Sequence, residues 1–222
     1  MANKNFVTDF PRPDKSLVER FRDLPVANVD DAMDRLQAVA YDICRVGKGK
    51  LVGTAFPVKV PHGDNLMLHA AMDLAKPGDV IVIDAGGLCD RAIFGELMAT
   101  YCKMRGIAGM VCDGAIRDRD ELAEMEDFPV FAKAANPNGP YKNGPGELGT
   151  PVCIGGRIVR PGDIVIGDGD GVLFLDPAIA EQVADAADKI KAMETGLMEG
   201  ILQGHYDRLW VQVKLKALGY ID

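Results

Sequence analysis

Apolar and polar positions along the chain change rhythm repeatedly. Val29, Ala32, Met33 and Leu36 recur at helical spacing behind Asn28, which reads as an N-cap for a short early helix. Residues 53–60 (GTAFPVKV) predict a strand, and Pro57 places it at an edge or a bulge because proline cannot donate to a ladder. From Asn65, the run NLMLHAAMDLA predicts a compact helix stopped by Lys76-Pro77-Gly78. Residues 79–84 (DVIVID) then predict a buried, β-branched strand.

The same punctuation returns at Arg160-Pro161-Gly162-Asp163, followed by the aliphatic run IVIGD. Between the two lie a predicted helix near 92–104, a strand over 106–112, a helix opening near Asp118 and a strand over 129–133. Residues 135–150 hold four glycines and three prolines without periodicity, which predicts a long ordered loop or a flap. Beyond it, GDGDG at 167–171 signals a hairpin, VLFL a strand, and 178–202 a long amphipathic helix, with a last short helix over 207–218. Alternating helices and aliphatic strands predict an α/β fold, and no composition break suggests a second domain within residues 1–222.

With 222 residues and 48% hydrophobic content, the chain is expected to bury one sizeable core. A net charge of −8 without any basic run argues against nucleic acid and against anionic membranes as partners. The opening MANKNFVTDFPRPDK lacks the apolar core of a leader, and no stretch approaches the roughly 20 apolar residues of a membrane span. A cytoplasmic location is therefore expected. The cysteines at 44, 89, 102, 112 and 153 are irregularly spaced without a Cys-x-x-Cys pair, which suggests free thiols rather than a zinc site or disulfides.

Chemistry concentrates between residues 84 and 122. Asp84-Ala85-Gly86-Gly87 ends a strand, and its glycines allow either a tight turn or close approach of backbone to an anion. Gly95-Glu96 interrupts a helical segment, and a break there would free backbone N–H groups suited to a carboxylate. Asp118 reads equally well as an N-cap, with Glu121 completing a capping box, and as half of a site with Arg117. A 2-keto acid needs a fixed cation for its carboxylate and a carboxylate-held divalent metal to polarise its carbonyl, and Arg117-Asp118 can supply both. The three histidines, at 62, 69 and 205, are too scattered for a triad, although His62 beside Gly63-Asp64-Asn65 sits near other candidate residues. The Asp-Gly run at 167–171 lacks the closing Glu of an EF-hand. Gly-x-Ser-x-Gly, P-loop and dinucleotide-binding motifs are missing.

Gly95-Glu96, twenty residues and then Arg117-Asp118 resemble the acid-x20-Arg-Asp signature of the 4-hydroxy-4-methyl-2-oxoglutarate and 4-carboxy-4-hydroxy-2-oxoadipate aldolases. His62-Gly63-Asp64-Asn65, Gly86-Gly87, Asp113-Gly114-Ala115, Phe128-Pro129-Val130, Gly155-Gly156, Pro161-Gly162-Asp163 and Asp168-x-Asp170-Gly171-Val172 resemble further landmarks in the same order, over about residues 20–205. The resemblance implies a layered α/β/α domain of the swivelling phosphohistidine type, assembled as a trimer or a pair of trimers with sites at subunit interfaces. It implies Asp118 as ligand to Mg²⁺ or Mn²⁺, with Glu96, an Asp in some members, acting through water. It also implies Arg117 on the pyruvyl oxygens and the N–H groups of Gly95, Glu96, Leu97 and Met98 on the carboxylate. From a neighbouring subunit's C-terminal helix it implies Glu194, or next Glu199. The implied activity is metal-dependent cleavage of a 4-hydroxy-2-oxo dicarboxylic acid to pyruvate, with oxaloacetate decarboxylation as a related reaction.

Two rival readings remain. One is a non-catalytic regulator, because the protein inhibitor of ribonuclease E shares this fold family but departs at the acidic pair. The other is a Schiff-base aldolase, for which Lys103 is the lysine between Gly86 and Arg117.

Overall fold

The structure is a computed structural model that describes residues 5–222; Met1–Lys4, the start of the stretch read as lacking a leader, lie outside the described residues. Two short helices come first, α1 (Lys15–Glu19) and α2 (Val26–Asp31), then strands β1 (Cys44–Arg45) and β2 (Leu51–Lys59). The alternating region follows as α3 (Leu66–Leu74), β3 (Asp79–Asp84), α4 (Glu96–Met104), β4 (Gly109–Ile116), α5 (Arg119–Glu124) and β5 (Val130–Ala135). Short strands β6 (Glu147–Leu148), β7 (Val152–Ile154) and β8 (Arg157–Val159) lead to the hairpin β9 (Ile164–Asp168) and β10 (Gly171–Leu175). The long helix α6 (Ala180–Leu202) and α7 (Leu209–Ala217) end the chain.

One mixed sheet of eight strands runs in the order β1-β5-β4-β3-β2-β9-β10, with β6 added to β2. The parallel pairings β2-β3, β3-β4 and β4-β5 carry the α/β alternation. The α/β class read from the sequence is the one observed. Even-numbered residues of β2 face the helices: Phe56 and Val58 meet the α3 and α4 side, whereas Val52 joins Ile164, Ile166, Leu173 and Leu175 beneath α1, α2 and α6. The opposite face, with Leu51, Val80, Val82, Val111, Phe131, Val165 and Val172, packs on itself and on the β7-β8 hairpin. It can do so because the sheet curls almost closed: a Cβ on Gly167 of β9 would lie 2.9 Å from Cζ of Phe131 on β5, with three strands between them along the sheet. Any side chain at 167 would wedge the curl open.

The repeated punctuation before β3 and β9 makes the same turn twice. Lys76 N–H donates to Asp79 Oδ2 at 2.8 Å, and Arg160 N–H to Asp163 Oδ2 at 2.7 Å. Both turns have glycine in the left-handed region, φ +88° at Gly78 and +94° at Gly162, so the Pro-Gly pair is required there. Asp79, almost wholly buried, is also held by Arg12 through two bonds of 2.8 Å.

Several expected boundaries move. α2 begins at Val26 and Asn28 lies within it, buried, rather than capping it. α4 begins at Glu96, not near Ala92, and β4 covers 109–116 rather than 106–112. β2 is central and not an edge. Thr54 N–H points to β3 and Ala55 N–H to the other side, so Pro57's missing N–H also falls on that other side. There the partner changes from β9, paired at Leu51–Thr54, to β6, paired at Val58–Lys59, and no ladder bond is lost at the changeover. The Asp-Gly run at 168–171 is the β9-β10 hairpin, as read. Among the described residues no helix is long and apolar enough to cross a membrane. α7 buries none of its residues, and exposed Met193, Leu197 and Ile201 continue an apolar stripe along the far half of α6.

Candidate functional site

The parallel strands end together, and the chain builds the site at that end. β3 stops at Asp84, and Gly86 and Gly87 follow with φ +70° and +72°. Their N–H groups go to Asp84 Oδ1 and to the Asp113 carbonyl, so this pair is a turn and not an anion cradle. The returning segment then runs alongside the end of β4: Ile93 N–H donates to Ala115 O and Arg117 N–H to Phe94 O, both at 2.9 Å. From below, buried Asn65 donates through Nδ2 to Ile93 O at 2.8 Å. Gly95 is thus laid against Arg117-Asp118, and α4 starts at the next residue.

Asp118 is not a conventional N-cap. Its backbone is left-handed, φ +53° and ψ +44°, and its side chain caps nothing on α5. Instead Oδ2 accepts the Glu96 N–H at 3.1 Å, across 22 residues, while Arg117 Nε lies 3.6 Å from the same oxygen. An aspartate tolerates this conformation better than most residues, yet it still costs on the order of 1 kcal/mol, and such strain gathers at functional sites. Gly95 is demanded by contact rather than by φ: a Cβ there would sit 2.2 Å from Asp118 Oδ2 and 2.9 Å from Arg117 Cγ.

The resulting cleft has a volume of about 320 Å³ and is walled by α3 (Asn65, His69), by the start of α4 (Gly95, Leu97, Met98), by Arg117 and Asp118, and by Gly139, Pro140 and Lys142. A larger hollow of about 430 Å³ opens between α2, α6 and β10. Size does not choose between them; unsatisfied polar groups do. Asn65 Oδ1 and His69 Nε2 are buried without a hydrogen-bond partner and line the smaller cleft, whereas none of the buried unpartnered side-chain atoms among the described residues lines the larger one.

Loop 135–146 is a fixed wall. Asp64 accepts from Leu66 N–H at 2.9 Å through Oδ1, and from Asn143 N–H and, at 3.1 Å, Gly144 N–H through Oδ2. Arg91 donates to Gly139 O and to Tyr141 Oη, each at 2.9 Å, and stacks on the Tyr141 ring. Burial alone would raise the Asp64 pKa, but the three backbone donors outweigh it and hold the carboxyl below its usual range. Its contribution to stability is therefore complete above about pH 4, the unfolded value, and is lost as pH falls through the lower folded one. Asp64→Asn replaces one acceptor oxygen with a donor and is expected to cost about 1–3 kcal/mol, read as a lowered melting temperature at pH 7. If this loop is the anchored element, the gap from wild type will shrink as the pH is lowered below 4.

The predicted site residues divide. Gly95, Glu96, Leu97, Met98, Arg117 and Asp118 are brought together, although it is the Glu96 backbone that meets Asp118. The Glu96 side chain borders an adjacent shallow acidic depression with Asp120, Glu121 and Glu124. Leu97 and Met98 N–H groups, in the first turn of α4, have no helical acceptor and border the cleft. Glu194, on α6, accepts from Asn28 Nδ2 at 2.6 Å and is not part of the cleft wall; Glu199 lies on the exposed part of the same helix. His62 pairs with Asp90 outside the cleft, and Lys103 bonds the Glu126 carbonyl. Lys142 and His69 were not legible as site residues, since the loop fold and the α3 orientation bring them in.

For a divalent metal the donor chemistry fits Mg²⁺ or Mn²⁺. Among the described residues no three of His, Cys, Asp and Glu form a metal cluster, and Asp118 offers one carboxylate whose Oδ1 has no partner. Mg²⁺ uses one or two carboxylates and takes its other ligands from water and substrate.

Comparison with known proteins places this geometry in context. Residues 26–174 match the family model described as "RraA-like: Aldolase/RraA". The chain is 40% identical over 176 residues, 79% of its length and 83% of the relative's, to a Halalkalibacterium halodurans protein named "Putative 4-hydroxy-4-methyl-2-oxoglutarate aldolase". It resembles the structure of an uncharacterized protein from Pseudomonas syringae pv. tomato at TM-score 0.76 and 25% identity, over 88% of this chain and 96% of that one. It also resembles the RNA-processing inhibitor RraA from Thermus thermophilis at TM-score 0.63 and 28% identity, over 68% and 92%.

Proposed function

Because the chain belongs to the RraA-like aldolase family, we propose that it is a cytoplasmic, divalent-metal-dependent pyruvate aldolase. Its substrate would be 4-hydroxy-4-methyl-2-oxoglutarate or a related 4-hydroxy-2-oxo dicarboxylic acid, cleaved to pyruvate and a second keto acid. The observation that carries this reading is the Arg117-Asp118 pair: a guanidinium with no partner among the described residues but its neighbour, beside a carboxylate fixed in a left-handed conformation, both on one polar cleft.

Held by Asp118, Mg²⁺ or Mn²⁺ would supply the Lewis acidity that polarises the 2-keto group. The chain's own residues do the remaining work. Arg117 binds the pyruvyl oxygens and stabilises the negative charge that develops on them, while Leu97 and Met98 N–H groups bind the carboxylate. A water acting as base takes the C4 hydroxyl proton; the C4–O bond becomes a carbonyl and the C3–C4 electron pair passes to the pyruvyl fragment as an enolate. A proton returned to C3 completes pyruvate. Glu96 would orient that water. Loss of CO₂ from oxaloacetate yields the same enolate, so decarboxylation of oxaloacetate belongs to this proposal.

The reading includes a trimer or a pair of trimers, in which Glu194 or Glu199 serves a neighbouring subunit's site. The exposed apolar stripe of α6 supports contact with another copy. A regulatory binding role is the second reading, supported by the likeness to the Thermus RNA-processing inhibitor.

Pyruvate release from 4-hydroxy-4-methyl-2-oxoglutarate and from oxaloacetate decides between them. Turnover with Mg²⁺ or Mn²⁺ is expected to fall to background with EDTA and to return when the metal is restored; the substrate with the higher kcat/KM defines the main activity. Lack of turnover of either substrate with any divalent metal overturns the aldolase reading in favour of the regulatory one.

A further inference from the structure

The strand that delivers Arg117 and Asp118 carries an irregularity just before them. β4 pairs with β5 in regular register up to Cys112 and Ala132 and resumes at Ala115 and Ala134, so two residues, Asp113 and Gly114, stand opposite one, Lys133. This is a β-bulge, which bends the longer strand and re-aims the side chains near it. The residues that follow directly are Ala115, Ile116, Arg117 and Asp118.

The bulge is held from several sides. Asp113, 8% exposed, places Oδ1 3.3 Å from Lys133 Nζ, whose second ion-pair partner is Asp42 Oδ2 at 3.2 Å. Asp113 Oδ2 accepts the Gly155 N–H of the β7-β8 turn at 3.2 Å, and its carbonyl accepts the Gly87 N–H at 3.0 Å. A Cβ on Gly114 would lie 2.8 Å from Ala85 Cβ, so the bulge also backs onto the turn after β3. That turn opens the segment in which Ile93 and Phe94 bond to Ala115 and Arg117. Both sides of the Gly95–Asp118 contact are therefore set out from the bulge.

Charge makes Lys133 the exacting member. Asp113 stands in register with Asp84 across β3 and β4, and like charges directly opposite one another repel. Lys133 is the one cation ion-paired with Asp113 among the described residues. Burial alone would lower its pKa; Asp113 and then Asp42 outweigh burial and hold it above the usual lysine value, so the ammonium is charged at neutral pH.

We propose that Lys133 is a positioning residue: by clamping Asp113 across the bulge it fixes the aim of Arg117 and Asp118 without itself meeting the substrate. Lys133 is not part of the cleft wall, so the inference adds to the aldolase reading, on which it rests, a residue that acts through the backbone of β4.

The test measures kcat and KM for pyruvate release from 4-hydroxy-4-methyl-2-oxoglutarate with Mg²⁺, and the melting temperature, in wild type, Lys133→Arg, Lys133→Met and the double variant Lys133→Met/Asp113→Asn. Lys133→Met strands a buried carboxylate, whereas the double variant removes both charges and so separates positioning from folding. In the folded double variant kcat is expected to fall about tenfold or more with KM within about threefold of wild type, because misplaced catalytic groups lose rate rather than ground-state binding. Lys133→Arg, which keeps the charge, should hold kcat within about threefold. A double variant that keeps kcat within about twofold, loses only KM or fails to fold overturns the clamp and leaves the aldolase reading standing, as does a Lys133→Arg that falls as far as the double variant. A wild type that releases pyruvate from neither this compound nor oxaloacetate overturns the aldolase reading and the clamp with it.

Discussion

Asp118→Asn is expected to lower pyruvate release about 10³-fold or more while leaving the fold intact. Asparagine is the other residue that enters the left-handed region at low cost, so φ +53° is no obstacle. It also keeps an oxygen that can accept the Glu96 N–H, so the link between α4 and β4 survives. What it loses is the negative charge, which a hard divalent cation needs from a site offering a single carboxylate. The melting temperature should stay within about 3 °C of wild type, and titration with Mn²⁺ should show weakened binding. Turnover within threefold of wild type, roughly 0.7 kcal/mol, would sink the assignment of Asp118. Asp118→Ala is a poorer test because it also frees the first N–H of α4.

Gly95→Ala is expected to cost about 10²-fold in kcat/KM. Nothing in the backbone forbids alanine, since Gly95 is extended at φ −149°, and alanine restricts the unfolded chain. The obstacle is space. A methyl 2.2 Å from Asp118 Oδ2 and 3.0 Å from its Cγ must displace either that carboxylate or segment 93–96. The segment is held by the Ile93–Ala115 and Arg117–Phe94 bonds, so the carboxylate and the Arg117 stem are what move. Catalytic groups misplaced by about 1 Å lose roughly this much rate. A Gly95→Ala variant with full activity would mean that the reacting groups lie outside this cleft.

The sequence carried the segments of this site better than its atoms. The acid-x20-Arg-Asp spacing does bring residues 95–96 onto 117–118, because one β-α turn returns beside the next strand. The contact, however, is made by the Glu96 backbone, which no side-chain pattern encodes. The capping box at Asp118 and Glu121 was a sound local expectation, overridden when the strand end twists Asp118 into the left-handed region. Pro57 misled for a related reason: whether a strand is an edge depends on what pairs with it, and the partner exchange between β9 and β6 is a tertiary event. His69 showed no more than helical spacing, and Lys142 lies in a loop whose course is set by a distant carboxylate, Asp64. The Lys76 and Arg160 turns were legible because the bonds that close them, from Lys76 N–H to Asp79 and from Arg160 N–H to Asp163, each span three residues.

The near-closed curl of the sheet also orders events in time. The inner cluster draws Val39, Phe131 and Phe174 together from across the chain, so a ribosome must release residue 174 before that core can be completed. Until then the parallel strands β2 to β5, already made, expose one apolar face and an unpaired edge on β2 where β9 will later dock. Such non-local pairing slows folding, so the nascent chain spends its most aggregation-prone interval with residues 93–118 synthesised and the inner core still open.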